Sequence, residues 1–233
     1  MEYGNIAQWF AGAVTFSAVV VALFKDSVAR RYRRPKLEIS IRPEPPDCAK
    51  NFLSYEVQRT AYTYVTATVF YLRLWVVNHG RGRAEKVQVY AANLSRKAAD
   101  GSFRRVESFL PMNLRWSHGP PPPLGPEIFA DGISAGMGKH CDLAHMVDPK
   151  STAEVGESRP DVEVGIPTLA LDLEVAPNSR NHVVAPGTYR LDLRIAASNC
   201  APIARTVEIA VTGKWFDEEA RMFADGLGVK IVD

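Results

Sequence analysis

Along most of the chain apolar and polar residues alternate with a period of two. Leu37, Ile39 and Ile41 alternate with Glu38, Ser40 and Arg42. The same pattern recurs at Leu72, Leu74 and Val76, at Val87, Val89 and Ala91, and at Leu169, Leu171, Leu173 and Val175. It returns at Tyr189, Leu191, Leu193 and Ile195, and at Val207, Ile209 and Val211. One buried and one wet face per segment is the mark of antiparallel strands. Six or seven such strands with few helices predict a mainly β fold, an antiparallel immunoglobulin-like β-sandwich. Asn199-Cys200-Ala201-Pro202 is expected to turn one hairpin and Pro186-Gly187 to open it.

Two stretches break the period. Residues 43–68 begin with Pro43, Pro45 and Pro46 and end in a Thr/Tyr/Val-rich run that suits another strand. Residues 95–167 hold Pro120 to Pro123, several glycines and little periodicity, and are expected to form a long irregular insertion. Apolar residues such as Phe109, Leu114, Ile128 and Phe129 should pack part of it onto the sheets, whereas 149–165 reads as a polar excursion. Near the end a short helix is predicted, capped by Asp217, closed by Gly226 and pinned by Trp215, Phe216, Met222 and Phe223.

The first residues follow a different rule. No charge lies between Tyr3 and Phe24, and the run is almost wholly apolar from Ile6. About 20 such residues suffice to cross a hydrocarbon core as one helix. Thr15 and Ser17 can satisfy their hydroxyls on the helix's own carbonyls. Lys25, Arg30, Arg31, Arg33, Arg34 and Lys36 then stand against a single acid, Asp26, and Pro35 should stop the helix. The expected domains are a transmembrane helix over 1–24, a basic juxtamembrane segment over 25–36 and a β-sandwich over 37–233.

Basic residues flanking a span stay on the cytoplasmic side. Here they all follow it, which predicts a single-pass inner-membrane protein with its N-terminus outside and its domain in the cytosol. A cleaved signal would need positive charge before the apolar run and a small-residue cleavage site after it, and the sequence offers neither. Arg30, Arg31, Arg33 and Arg34 are expected to sit on anionic lipid headgroups of the bilayer. The chain carries a net charge of +2, so the anchor accounts for its basicity and no basic face remains to bind nucleic acid. Three cysteines, Cys48, Cys141 and Cys200, far apart and odd in number, suit reduced thiols.

Leu72 to Val89 contains an alternating strand that runs into Asn78-His79-Gly80, then Ala84, then Val87-Gln88-Val89. This strand–turn–strand unit resembles bacterial immunoglobulin-like domains of the CARDB type. The resemblance covers about 20 residues and implies the sandwich fold. The whole arrangement also resembles bacterial membrane-anchored proteins, which implies no activity.

The densest chemistry lies at His140-Cys141-Asp142-Leu143-Ala144-His145, with His118 upstream. Imidazole, thiolate and carboxylate are zinc ligands, and on a helix Cys141 and His145 would share a face. Paired Cys-x-x-Cys and His-Glu-x-x-His patterns are absent, so His140, Cys141, Asp142 and His145 are weak metal candidates and no cofactor is expected. Gly132 to His140 lacks the glycine and hydroxyl positions of a phosphate loop. With no catalytic set evident, the sequence predicts a membrane-anchored interaction or scaffold module with a protein partner. Arg81, Arg83, Trp116, His118, His140 and His145 are its candidate binding residues. The alternatives are an externally facing adhesion or envelope module, and a metal- or thiol-dependent hydrolase built on the 118–148 cluster.

Overall fold

A computed structural model describes residues 4–58, 62–118, 130–159 and 161–232. It is mainly β, with antiparallel sheets and one apolar N-terminal helix. That helix, α1 (Gly4–Tyr32), contains one stretch, Gln8–Lys25, long and apolar enough to cross a membrane, and none of it is buried against the rest of the chain. Trp9, Phe10 and Phe24 are exposed, and the Thr15 hydroxyl donates to the Ala11 carbonyl at 2.9 Å as its position predicts. The helix continues past Lys25 through the basic segment and stops at Tyr32, ahead of Pro35. Arg30 and Arg31 lie on it, and their side chains fall outside the described part of the molecule.

The strands follow as β1 (Leu37–Ser40), β2 (Cys48–Gln58), β3 (Tyr62–Asn78), β4 (Ala84–Lys97), β5 (Phe103–Arg105), β6 (Met112–Asn113), β7 (Ala130–Ile133) and β8 (Gly138–Val147). A single turn of helix, α2 (Thr152–Val155), precedes β9 (Leu169–Leu171), β10 (Val183–Val184), β11 (Gly187–Ala197) and β12 (Cys200–Val211). The chain ends with α3 (Glu219–Arg221), a π-turn over Met222–Gly226 and β13 (Leu227–Val232). One sheet runs β1-β3-β8-β9-β10, with β2 also paired to β3; the other runs β13-β12-β11-β4-β5, with β6 and β7 also on β4.

The two sheets share one hydrophobic core, and the alternation read from the sequence sets which residues enter it. Leu72, Leu74 and Val76 of β3 meet Val87, Val89 and Ala91 of β4, Leu191, Leu193 and Ile195 of β11, and Val207 and Ile209 of β12, all at most 1% exposed. The expected hairpin is β11–β12, its register unbroken from Gly187 opposite Val211 to Ile195 opposite Ile203 and shifted before Ala197 opposite Cys200; the turn is Ser198-Asn199, so Cys200 to Pro202, expected in it, belong to β12.

Several expectations are overturned. The 95–167 segment is not an insertion, because β8 lies inside its bounds and occupies the middle of the first sheet, paired with β3 over Val69–Val77. A bulge hides it in the sequence: Leu72 opposes Ala144 and Arg73 opposes Asp142, so Leu143 is the extra residue and the apolar period shifts there. Nor is 149–165 a loose excursion. Glu157 and Arg159 are tied to His145 and to the Val183 carbonyl, and Arg180 reaches back to the Ser158 carbonyl. Asp172, a polar position between Leu171 and Leu173 just past β9, is 9% exposed and pairs with His145 instead of facing water.

The C-terminal helical stretch runs from Glu219 to Gly226, α3 leading directly into the π-turn, and ends at Gly226 as the sequence predicts. Asp217 does not cap it; its carboxylate accepts the Trp215 indole N–H at 2.9 Å, and the chain turns back as β13 along β12. The aromatic pinning does occur, with Trp215 and Phe223 edge-on to Phe70 at centroid separations of 5.1 and 5.7 Å. Pro120 to Pro123, Ile128 and Phe129 lie outside the described residues.

Candidate functional site

Odd positions of β3 and their partners on β8 form the outer face of the first sheet. Tyr71 opposes His145, Arg73 opposes Asp142, and Trp75 opposes His140. The sequence cluster is thus laid out along a strand, and its charged members are paired off rather than converging. Cys141, expected to share a face with His145 on a helix, opposes Leu74 and is fully buried in the core.

His145 sits between two carboxylates. Its Nδ1 is 2.9 Å from Asp172 Oδ1 and its Nε2 is 2.8 Å from Glu157 Oε1. Burial alone would lower its pKa, but the charge and hydrogen bond of Asp172, joined by those of Glu157, hold it well above the ordinary histidine value. The ring is therefore an imidazolium that donates from both nitrogens and has no lone pair to offer as a base. Beside it, Tyr71 packs at 5.4 Å between ring centroids, and burial pushes its phenol up to about 12. Arg73 lies over the same tyrosine ring at 4.7 Å and donates to Asp142 at 3.0 Å. Asp142 also accepts from the Ser117 hydroxyl at 2.5 Å. Burial, followed by the charge of Asp172, raises its carboxyl above the usual range against the opposing pull of Ser117 and Arg73.

His140 belongs to a second centre. Its Nε2 lies 3.0 Å from Oδ1 of Asp47, which is 1% exposed; the other Asp47 oxygen accepts both the backbone N–H and the Nε of Arg42. Trp75 covers the imidazole at 4.6 Å. These contacts fix the 41–47 crossing between β1 and β2. Among the described residues no three of His, Cys, Asp and Glu are placed to hold a metal ion. The metal candidates His140, Cys141, Asp142 and His145 are instead split between two ion-paired centres and the core. The Cys141 thiol donates to the Arg115 carbonyl at 3.2 Å, and burial, then the charge of Asp142, raises its pKa well above the usual thiol value.

A third constellation joins α1 to the sheets. The Asn78 side chain is fully buried and uses its whole hydrogen-bonding capacity. Its Oδ1 accepts the N–H of Lys36 at 3.0 Å and of Gly80 at 2.9 Å, and its Nδ2 donates to the carbonyls of Gly82 at 2.7 Å and Ile133 at 2.9 Å. The backbone adds His79 N–H to the Lys36 carbonyl at 2.8 Å. Residues 33–36 cross so close to the 79–83 turn that a Cβ on Gly80 would stand 2.5 Å from the Arg34 carbonyl oxygen, and one on Gly82 would overlap that of Arg33. The sequence points to Asn78 and Gly80 as turn formers; their grip on residues 33–36 is visible only in three dimensions.

The remaining candidates are scattered. Arg81 stacks on Tyr32 at 4.3 Å. Arg83 is exposed, with its carbonyl accepting from Asn199 at 2.8 Å. Trp116 is 3% exposed and carries the Lys139 ammonium over its ring at 5.6 Å. His118 is exposed at φ +60°. Arg33 and Arg34 are exposed just past the helix end. Asp47, Tyr71, Arg73 and Glu157 went unnoticed in the sequence, and Asp172 reads there as a solvated strand residue, because each pairs with a residue that is distant along the chain or on a neighbouring strand. No known protein family, curated protein or solved structure matches this chain.

Proposed function

We propose that this chain is a single-pass membrane protein, N-terminus outside, whose cytosolic immunoglobulin-like domain works by binding a protein partner as a subunit or scaffold of a bacterial membrane-associated complex. The observation that carries this is the joint. An apolar helix with no buried residue over Gln8–Lys25 passes into the β domain with no slack, locked by Asn78 and by the close approach of Gly80 and Gly82 to residues 33–36. Such a joint suits a domain held at a fixed height above a bilayer, where it presents a surface, better than one that must swing to reach a substrate. The asymmetric basic segment favours the inward orientation.

Two antiparallel sheets around one core suit the immunoglobulin-like class. So does the Tyr189 hydroxyl, which opens β11 and donates to the Ala185 carbonyl at 2.8 Å in the manner of a tyrosine corner. Binding fits the state of the outer face, where His140 is paired with Asp47, His145 with Asp172 and Glu157, and Arg73 with Asp142.

Affinity isolation of the full chain from native membranes, after mild cross-linking, tests the role. A stoichiometric protein partner is expected; recovery only as a free monomer counts against it. Labelling of Cys200 by an impermeant reagent on intact cells would reverse the orientation.

A further inference from the structure

A groove of about 830 Å³ opens where the anchor meets the domain, between residues 34–38 and the tip of the β11–β12 hairpin. Arg34, Lys36 and Arg205 line it against one acid, Glu38, and Cys200 stands in its wall. Both walls are fixed. Asn78 holds Lys36, while Asn199 Oδ1 accepts the Glu85 N–H at 3.1 Å, its Nδ2 donates to the Arg83 carbonyl, and the Ser198 hydroxyl donates to the Glu85 carbonyl at 3.2 Å. The acid is itself engaged, with the His79 imidazole 3.6 Å from its carboxylate. Two of the cations come from the juxtamembrane run, whereas Arg205 arrives from about 170 residues away in sequence. This is therefore a folded site and not only a basic tail.

Its position supplies the ligand class. The helix ends at Tyr32, seven residues beyond Lys25. At about 1.5 Å per residue the helix end stands about 10 Å beyond the hydrocarbon edge when upright and closer when tilted, and the groove begins two residues later, at Arg34. That distance spans the headgroup layer, whose anionic surface attracts such clusters over about a Debye length. Guanidinium and ammonium groups lining one fixed cleft suit phosphate oxygens, and the Arg205 guanidinium, one of whose nitrogens donates to the Ala204 carbonyl at 2.8 Å, keeps further donors for them. We propose that this groove binds the phosphate of an anionic lipid headgroup, so that the domain is seated in one orientation on the bilayer. The proposal rests on the membrane-spanning reading above.

Cys200 gives a direct readout, because Cys48 and Cys141 are buried and Cys200 is only partly covered. The full chain is placed in nanodiscs of phosphatidylcholine alone or with about a third phosphatidylglycerol, and the rate of Cys200 alkylation by a neutral maleimide is followed by peptide mass spectrometry. Alkylation is expected to slow at least ~3-fold in the anionic discs. Most of that protection should disappear in the Arg34→Gln/Lys36→Gln/Arg205→Gln variant and about half of it in Arg205→Gln alone. Equal rates in both discs, or protection that survives in the triple variant as a mere surface-potential effect, overturn the proposal. Equivalent protection by millimolar inorganic phosphate in neutral discs overturns the lipid assignment in favour of a free phosphate. Carbonate extraction of native membranes tests the span separately: a chain released as soluble protein removes the membrane reading itself, whatever the alkylation rates.

Discussion

Asn78 and Lys36 are 42 residues apart, yet the carboxamide oxygen of the fully buried Asn78 accepts the Lys36 N–H at 3.0 Å. Its amide nitrogen simultaneously satisfies the carbonyls of Gly82 and Ile133. One side chain thus ties the anchor's exit, the 79–83 turn and β7 together. Replacing it by alanine leaves up to four backbone groups without partners, each worth about 1–3 kcal/mol when buried, with some relief from water. Asn78→Ala is expected to cost about 3–5 kcal/mol in urea unfolding. Asn78→Asp should be at least as damaging, because a carboxylate oxygen would then face two carbonyls. A loss below about 1 kcal/mol for Asn78→Ala contradicts this account.

His145 makes stability depend on pH. Its pKa in the folded protein lies well above the unfolded value of about 6.5, so folding favours the protonated ring. The stabilisation is fully present below about pH 6.5 and is lost as pH rises through the folded pKa. His145→Gln removes the cation from between Asp172 and Glu157 and leaves two carboxylates facing a neutral group. Breaking a buried ion pair of this kind costs about 3–5 kcal/mol. The wild-type melting temperature should fall as pH is raised from 6.5, and the variant should be less stable at pH 6 and lack that decline. Parallel pH profiles for the two proteins would argue against the imidazolium.

How far the sequence foretold these features depends on where the determining contacts lie. Alternation placed Leu72, Leu74 and Val76 and the strands around Val87, Leu191 and Val207 on the core face, because each obeys its own local period. The apolar run of α1 was equally plain. β8 was missed because the bulge at Leu143 shifts its period and its outward positions carry His140, Asp142 and His145, which read as loop chemistry. β13 was missed because Gly226 reads as the end of a helix, while the strand that follows is defined only by its pairing with β12. The site was least legible. Glu157 and Asp172 flank His145 from 12 and 27 residues away, and no local pattern announces either contact.

Phe70 links the first sheet to the C-terminal turn. It is fully buried and receives the edges of Trp215 and Phe223. Truncation to alanine removes a large core side chain and both ring contacts, for which about 3–5 kcal/mol is typical. Phe70→Ala should therefore lower the urea midpoint substantially and make the 213–226 segment the first site of proteolytic cleavage. Conservative Phe70→Leu should lose less than half as much. An unchanged cleavage pattern in Phe70→Ala would show that the C-terminal turn is held by other contacts, such as Lys50 N–H on Glu219 Oε2 at 2.5 Å.

Gly82 gives the sharpest test of the joint because the constraint there is purely steric. A methyl group at its Cβ position would overlap the Arg33 carbonyl oxygen, and that atom belongs to backbone, which cannot swing aside as a side chain can. Accommodation requires residues 33–36 to move off the turn, which also lengthens the Arg81 N–H contact to the Arg34 carbonyl, already 3.3 Å. The core strands do not pass through this point, so Gly82→Ala should open the joint while leaving the β domain folded. In the full chain in nanodiscs, trypsin is expected to cut after Arg33 at least ~5-fold faster in Gly82→Ala than in wild type (the Arg34–Pro35 bond resists trypsin), with the urea midpoint of the domain lowered by much less than in Asn78→Ala. Gly228→Ala, where the added methyl would stand 3.5 Å from the Ala210 Cβ, an ordinary contact away from the joint, controls for a general effect of glycine replacement. If cleavage at 33–34 is equally slow in Gly82→Ala and wild type, the anchor is not clamped against the turn, and the fixed-height domain loses its structural basis.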